Sequence, residues 1–330
     1  TLVIGLLVLW RLWSRGSKFW GPYRTAKTPM AVLIGGDSGA GKTTLAASLA
    51  LAIGESRTTL LFGDDYHSYE RQSMHWASKT HLSPAANDLS RMSADALTLF
   101  EGGTVETRHY DHATGRFTSP RRILSAEAVV VNGLHALSQP ALVERADLSV
   151  FLKMEKSMRD SLKISRDSVE RGKTKEEVRK SIVDRQADSR TYIEPQEDQA
   201  DLVFLIEPLK AASPAETREW LVSPPDRLRV VVTGRGLRTL ETLEGILFSL
   251  FGIYSHSMVE VDGQTMRVAV EQAELLTSDD IEALSVVMID ASHRHFLERP
   301  IWRPGAEGLV QVLTLVALLE KRRGRRWGFS

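Results

Sequence analysis

The sequence contains no cysteine, which excludes a disulfide framework and any zinc site built on thiolates, and agrees with a reducing compartment. Nor is there an excess of charge of either sign. The 42 Lys and Arg residues are matched by 42 Asp and Glu, so bulk attraction to nucleic acid or to an acidic partner is not an organising feature. No stretch interleaves aromatic and basic residues as a nucleic-acid recognition module does, and no nucleic acid is expected as a partner. Internal repeats and low-complexity tracts are absent as well. What remains, at 42% apolar and 25% charged residues over 330 positions, is the balance of a globular chain able to bury a sizeable core.

Long apolar runs are also lacking, and no acidic residue precedes Asp37. The opening "TLVIGLLVLWRLWSRGSKFW" is interrupted at Arg11, well short of the roughly 20 apolar residues a spanning helix needs. A cleaved signal would carry its positive charges before the apolar part, the reverse of the order seen here. Two expectations stand. One is a membrane-contacting helix or truncated anchor with Trp13, Trp20 and nearby cations at headgroup level. The other is an apolar helix packed on the domain. The expected location is cytoplasmic, with membrane association through residues 1–20 under the first reading. The basic tail "EKRRGRRWGFS" is a solvated end or a second contact with anionic lipid.

Residues 1–28 thus form an apolar and basic helix with its linker. From residue 29 the pattern alternates. "MAVLIGG" reads as a buried strand, Thr43 to Ile53 as a helix, "TTLLFGDD" as a strand and turn, and Ser93 to Glu101 as a helix. "AEAVVVNG" and "ADLSVFLKM" are β-rich runs without polar alternation, as in parallel strands covered on both faces. This order predicts a doubly wound, mainly parallel α/β sheet over residues 29–208. Ser157 to Arg190 is highly charged and reads as two helices around "ERGKT", with Thr174 and Glu177 as a capping box. Residues 209–330 follow a Pro-bearing stretch and read as a C-terminal α+β extension. Its parts are "LRVVV", a helix at Leu237 to Phe251, a hairpin around "VDGQ", a capped helix in "TSDDIEALSVVMI" and a closing amphipathic helix at Gly308 to Lys321.

"GGDSGAGKTT" follows the first strand and opens the first helix, which is the context a phosphate-binding loop requires. Gly36, Gly39 and Gly41 let the backbone curl, so that the amides of Asp37, Ser38 and Ala40 and the helix N-terminus at Lys42, Thr43 and Thr44 face a polyphosphate. Lys42 reaches the β and γ phosphates and Thr43 binds Mg2+, making ATP and Mg2+ the expected cofactors. The fold is therefore of the P-loop NTPase type. "FGDDYHSYER" then places Asp64, Asp65, His67, Tyr69 and Arg71 at the carboxyl end of the second strand, beside the loop. Those are the residue types phosphoryl transfer to a hydroxyl needs: a base, cations around the moving charge, and a binder for the acceptor.

Several motifs resemble the phosphoribulokinase family in the same order from Ala31 to Glu207: "GDDYHSYER", "PAANDLSRMSADAL", "EGGTVETRHYDHATG", "NGLHA", "LKISRDSVERG" and "YIEPQEDQADLVF". The related uridine kinases share the loop and "YDHATG" but have an aromatic residue where this chain has His67. The resemblance implies Asp64 as the base that accepts the sugar hydroxyl proton, with His67 and Arg71 on the phosphate of a small phosphorylated acceptor. It also implies Lys163, Arg166 and Asp167 beside the transferring phosphoryl, Arg171 on a mobile lid spanning about residues 157–190, and Tyr110 and His112 near the acceptor. His112 is equally readable as structural, and Asp65 as a second Mg2+ or acceptor contact or as a helix cap. Asn132 is the departure. The family has Glu at that strand end, acting on the metal or its waters, whereas an amide offers one carbonyl oxygen and no charge.

Three functions follow. The first is a kinase that phosphorylates ribulose 5-phosphate or a related pentose phosphate. The second is a catalytically weakened nucleotide-binding module at a membrane or in an assembly. The third is a uridine-type nucleoside kinase, against which His67 and Arg71 argue because a neutral nucleoside needs no such pair. A homo-oligomer is compatible with each.

Overall fold

The strands of the first half carry apolar residues at consecutive positions because both faces of the sheet they form are covered. In β1 (Met30–Gly36), Val32 and Ile34 enter one core while Ala31 and Leu33 enter the other. The computed structural model describes residues 28–71, 73, 80–170, 172–210, 227–253, 255–259, 264–289, 297 and 299–327. The apolar start and the hairpin tip "VDG" therefore lie outside the described residues.

β1 runs through the phosphate loop into α1 (Lys42–Ile53), and β2 (Thr58–Phe62) ends in a short 3-10 turn at Gly63–Tyr66. After α2 (Leu89–Phe100) come two small hairpins: β3 (Thr104–Thr107), β4 (Tyr110–Asp111), β5 (Arg116–Phe117) and β6 (Arg121–Leu124), in which β3 pairs with β6 and β4 with β5. Then follow β7 (Ala128–Asn132), α3 (Pro140–Arg145), β8 (Leu148–Met154) and the charged helices α4 (Lys156–Glu170) and α5 (Lys175–Asp188). The last part comprises β9 (Leu202–Pro208), β10 (Leu228–Arg235), α6 (Arg238–Phe251), β11 (Ser255–Val259), β12 (Thr265–Glu271), α7 (Ser278–Met288) and α8 (Gly305–Trp327).

Eight strands make one sheet in the order β11-β12-β10-β9-β8-β1-β7-β2. The β2, β7, β1, β8 and β9 run is parallel, and β10, β12 and β11 continue it antiparallel. The C-terminal α+β elements are thus present as expected, but their strands extend the first sheet instead of forming one of their own. The expected capping box of Thr174 with Glu177 is made on α5, and the expected cap of α7 is a capping box as well, Thr277 with Asp280.

The closing helix differs from its expectation. Positions 308–319 of α8 are all buried, so the helix is enclosed on every side and not amphipathic. It lies between α1 and α7 and against β8, β9 and β10. Its two polar residues in that run are satisfied internally: Gln311 donates to Ser48 O and Ile301 O (3.0 Å) and accepts from Arg303 N, while Thr314 bonds Val310 O. Burying each of its leucines and valines contributes roughly 1.5–3 kcal/mol, which makes α8 a central element of the core below the phosphate loop. Among the described residues no helix is long and apolar enough to cross a membrane.

Candidate active site

Strand order decides what meets at the carboxyl end of the sheet. β1 lies between β7 and β8, and β7 between β1 and β2, so the loop after β1, Asn132 and the turn after β2 are neighbours. Asn132 sits opposite Ile34 on one side and Phe62 on the other, two residues before Gly36 and two before Asp64. The strand ends approach closely: a Cβ on Gly133 would lie 2.9 Å from Gly63 Cα, so glycine at both positions is what brings Asp64 alongside the end of β7.

The phosphate loop is built as the sequence predicts. Gly36 has φ +137°, and a Cβ there would meet Leu152 O at 2.3 Å. Gly41 caps α1 in the left-handed conformation with no side-chain cap, leaving the first amides of the helix for a ligand. Lys42 Nζ donates to Gly36 O (2.8 Å) and Asp37 O (2.9 Å), which parks the ammonium over the loop. Burial lowers its pKa from the usual lysine value, against the fields of Asp64 and Asp37.

Facing the loop is a cavity of ≈ 690 Å3. Asp64 is the one carboxylate among its described lining residues, while Lys42, Arg71, Lys163, Arg166, Lys173 and Arg185 supply cations. Asp64 Oδ2 accepts from His112 Nε2 at 3.0 Å and Oδ1 lies 3.7 Å from His67 Nε2. Burial pushes the Asp64 pKa up, but the hydrogen bond from His112 and the fields of His67, His112 and Lys42 outweigh it and hold the carboxyl well below its usual range. His67 is buried. Asn87 spends its amide nitrogen on His81 O and Ser83 O, so its Oδ1 accepts from His67 Nδ1 at 2.7 Å and leaves Nε2 toward the cavity.

Arg71 is braced by His112, its Nη2 donating to His112 O at 2.8 Å. Tyr110 is buried with its ring edge-on to both His67 and His112. On α4, Lys163 and Arg166 turn to the cavity, and Arg166 is fixed by two hydrogen bonds to Asp167 Oδ1, 3.0 and 2.8 Å long. Lys163 is 7% exposed, and burial, with Arg185 adding to it, brings its pKa down to about 8. Asp167 is buried beside Arg166, is not among the residues lining the cavity, and accepts from the Arg166 guanidinium.

Of the residues expected at the metal, Thr43 and Asn132 line the cavity and Asp65 does not. Asp65 points into the β3–β6 hairpins, accepting from Tyr110 N (2.8 Å), pairing with His109 Nδ1 (2.9 Å) and lying 3.8 Å from Arg121. Burial raises its pKa despite these partners. It therefore neither caps a helix nor reaches the cavity; it ties the strap carrying Tyr110 and His112 to β2. Arg171 lies outside the described residues.

Other side-chain contacts were not singled out from the sequence, which assigned only the Asp37 amide. Asp37, in the loop itself, accepts from Arg159 Nη1 of α4 and from Ser189 Oγ just after α5, both at 2.7 Å. Its pKa is pushed up by burial but lowered overall by Arg159, Ser189 and the Ser38 amide. Arg185 reaches His81 Nε2 (3.2 Å), and Thr80 donates to Asp188. The charged helices are thus latched to the loop on one side and to Thr80 and His81 on the other. A signal existed: Arg159, Lys163 and Arg166 recur at helical spacing on one face of α4, and Arg185 and Ser189 do the same beyond.

A doubly wound sheet with a glycine-rich loop at its carboxyl edge, a carboxylate opposite and a cationic helical lid defines the class of P-loop phosphotransferase folds. The model of the Phosphoribulokinase / Uridine kinase family matches residues 31–212, more than half of the chain, and the chain belongs to that family. It is 36% identical over 196 residues to the phosphoribulokinase of Synechocystis, an alignment covering 59% of each protein. It is 26% identical over 231 residues to that of Sinorhizobium medicae, covering 63% of this chain and 80% of that one. The phosphoribulokinase structure from Rhodobacter spheroides shares the fold, with a TM-score of 0.59 at 21% identity, covering 90% of this chain and 100% of the other. The matches span from 48% to 59% of the length of the first relatives, which are cyanobacterial and plant enzymes.

Proposed function

We propose that the chain is an ATP-dependent kinase that transfers the γ-phosphoryl to a hydroxyl of a sugar phosphate, with ribulose 5-phosphate or a related pentose phosphate as acceptor. The observation that carries this reading is Asp64. It is an ionised carboxylate held by His112 within a cavity that also contains the phosphate loop and cations for two sets of phosphates.

In this reading the loop amides and Lys42 hold the β and γ phosphates, while His67 Nε2 and Arg71 hold the acceptor phosphate. Asp64 accepts the acceptor's hydroxyl proton as that oxygen bonds to the γ phosphorus and the bond to the β-phosphate oxygen breaks, releasing ADP. Lys163 and Arg166 stabilise the charge spread over the transferring oxygens, and the latched lid excludes water. Thr43, which lines the cavity, would hold Mg2+ arriving with the nucleotide, and that ion would supply charge neutralisation to the phosphates. The donor set fits a cation brought by the nucleotide and not a dedicated cage, since the described residues contain no group of three or more His, Asp or Glu able to hold a metal ion.

The test is ADP release by the purified chain with ATP and Mg2+ over ribulose 5-phosphate, other pentose phosphates and uridine, with Asp64→Asn as control. Turnover on a pentose phosphate that collapses in the variant is the expected result; turnover on uridine alone would move the chain to the nucleoside kinases.

Asn132 favours a second reading. A buried amide stands at the strand end where a carboxylate would help hold Mg2+, as in a nucleotide-binding module with weakened chemistry. ATP binding without turnover on any acceptor, restored by Asn132→Glu, would select it. Attachment of such a module through residues 1–28 would show as binding to anionic vesicles that is lost when those residues are deleted.

A further inference from the structure

Asn132 is 4% exposed, lines the cavity, and its Nδ2 has no hydrogen-bond partner among the described residues. A buried N–H without an acceptor is costly, so one is expected to arrive with a ligand. The surroundings narrow what that ligand is. The lining cations Lys42, Arg71, Lys163, Arg166 and Arg185 cannot accept, and none of the described lining groups, Asp64 included, makes a hydrogen bond to this Nδ2. The register puts Asn132 on the strand between the phosphate loop and Asp64, two residues short of each. An oxygen anion seated on the loop is the group in reach of that position.

We infer that Asn132 donates its Nδ2–H directly to a phosphate oxygen of the bound nucleotide, so that the cleft holds a nucleoside triphosphate tightly without a divalent cation. This rests on the kinase reading of the cleft but concerns binding, not transfer. At this position the chain meets the polyphosphate with a neutral donor, and the cations around it do the neutralising that a protein-held metal would otherwise share. A carboxylate placed here would repel the same oxygens unless a cation came between them.

Calorimetric titration with ATP in EDTA, then in Mg2+, tests this on the full chain. The native protein is expected to bind ATP in EDTA within about 10-fold of its affinity in Mg2+. Asn132→Ala is expected to lose about 10-fold or more in EDTA, the loss of a hydrogen bond to a charged group. Asn132→Asp is expected to lose at least as much in EDTA and to recover with Mg2+, which Asn132→Ala does not do. Native protein that binds ATP only with Mg2+, or Asn132→Ala that matches it in EDTA, overturns the inference and leaves the kinase reading standing. A loss of ribulose 5-phosphate binding in Asn132→Ala with ATP binding intact assigns the donor to the acceptor and also overturns it. Absence of ATP binding under both conditions overturns the inference and the kinase reading together. ATP binding as expected with no turnover on any acceptor removes only the kinase reading.

Discussion

At the scale of single residues, the cavity sorts its ionisable groups by what surrounds each of them. Asp64 is held below the usual carboxylate range and so stays a base throughout the neutral region. Its contribution to folding is present above the ordinary carboxylate pKa and is lost as pH falls beneath it. Asp64→Asn should lower turnover by about 10²–10⁴-fold while ATP binding, followed by calorimetry, persists. Lys163 sets the other limb. With a pKa of about 8 it loses its charge as pH rises through that value, so activity should fall there, and Lys163→Arg should move the fall upward in a pH-rate profile. Stability has the opposite sign: between about 8 and the ordinary 10.5 the unfolded chain binds the extra proton, so folding strengthens with pH across that window. At this scale the sequence was most legible where a residue's neighbours are close in the chain, as for Lys42, which bonds Gly36 and Asp37. It was least legible for Asp65, whose partners His109, Tyr110 and Arg121 arrive from 44 or more positions away.

At the scale of elements, the glycine-rich loop, the strands β1, β2, β7 and β8 and the caps of α5 and α7 follow from local chemistry and were readable, because steric and hydrogen-bonding demands there involve residues a few positions apart. Gly36→Ala combines a left-handed φ with a clash against Leu152 O, so it should destabilise the fold by more than about 1 kcal/mol in denaturant unfolding and abolish ATP binding. The lid is latched by side chains that no periodicity reveals as partners. Asp37→Ala removes the acceptor shared by Arg159 and Ser189. Amide exchange in α4 and α5 should then quicken relative to the sheet, and a slow ATP hydrolysis without acceptor should appear as water enters. Unchanged exchange in both helices would show that the latch does not hold the lid. α8 was misread for a related reason: Gln311 and Thr314 look like a polar face until Ser48, Ile301 and Arg303 are seen to satisfy the first and Val310 the second.

At the scale of the whole molecule, one apolar core joins residues from β1, α1 and β8 to residues from β10, α6, α7 and α8, while the opposite face of the sheet is closed by α2 and α3. Residues 29–208 and 209–330 share that first core and one hydrogen-bonded sheet, so calorimetric unfolding should give a single transition, and residues 28–210 produced alone should aggregate. Two separable transitions would refute this. The parallel half of the sheet was legible because its strands are uninterrupted apolar runs; the antiparallel extension was not, since short β-rich runs say nothing about which edge they join.

The enclosed helix also has a bearing on synthesis. Part of the surface that α8 covers, on α1 and β8, is complete by position 154, yet the covering run extends to position 319. At about 5–20 residues per second, roughly 10–30 s separate the emergence of the two. For that interval the α1 and β8 part of the nascent core waits for its cover, so aggregation during synthesis is expected to rise when translation pauses between the two segments.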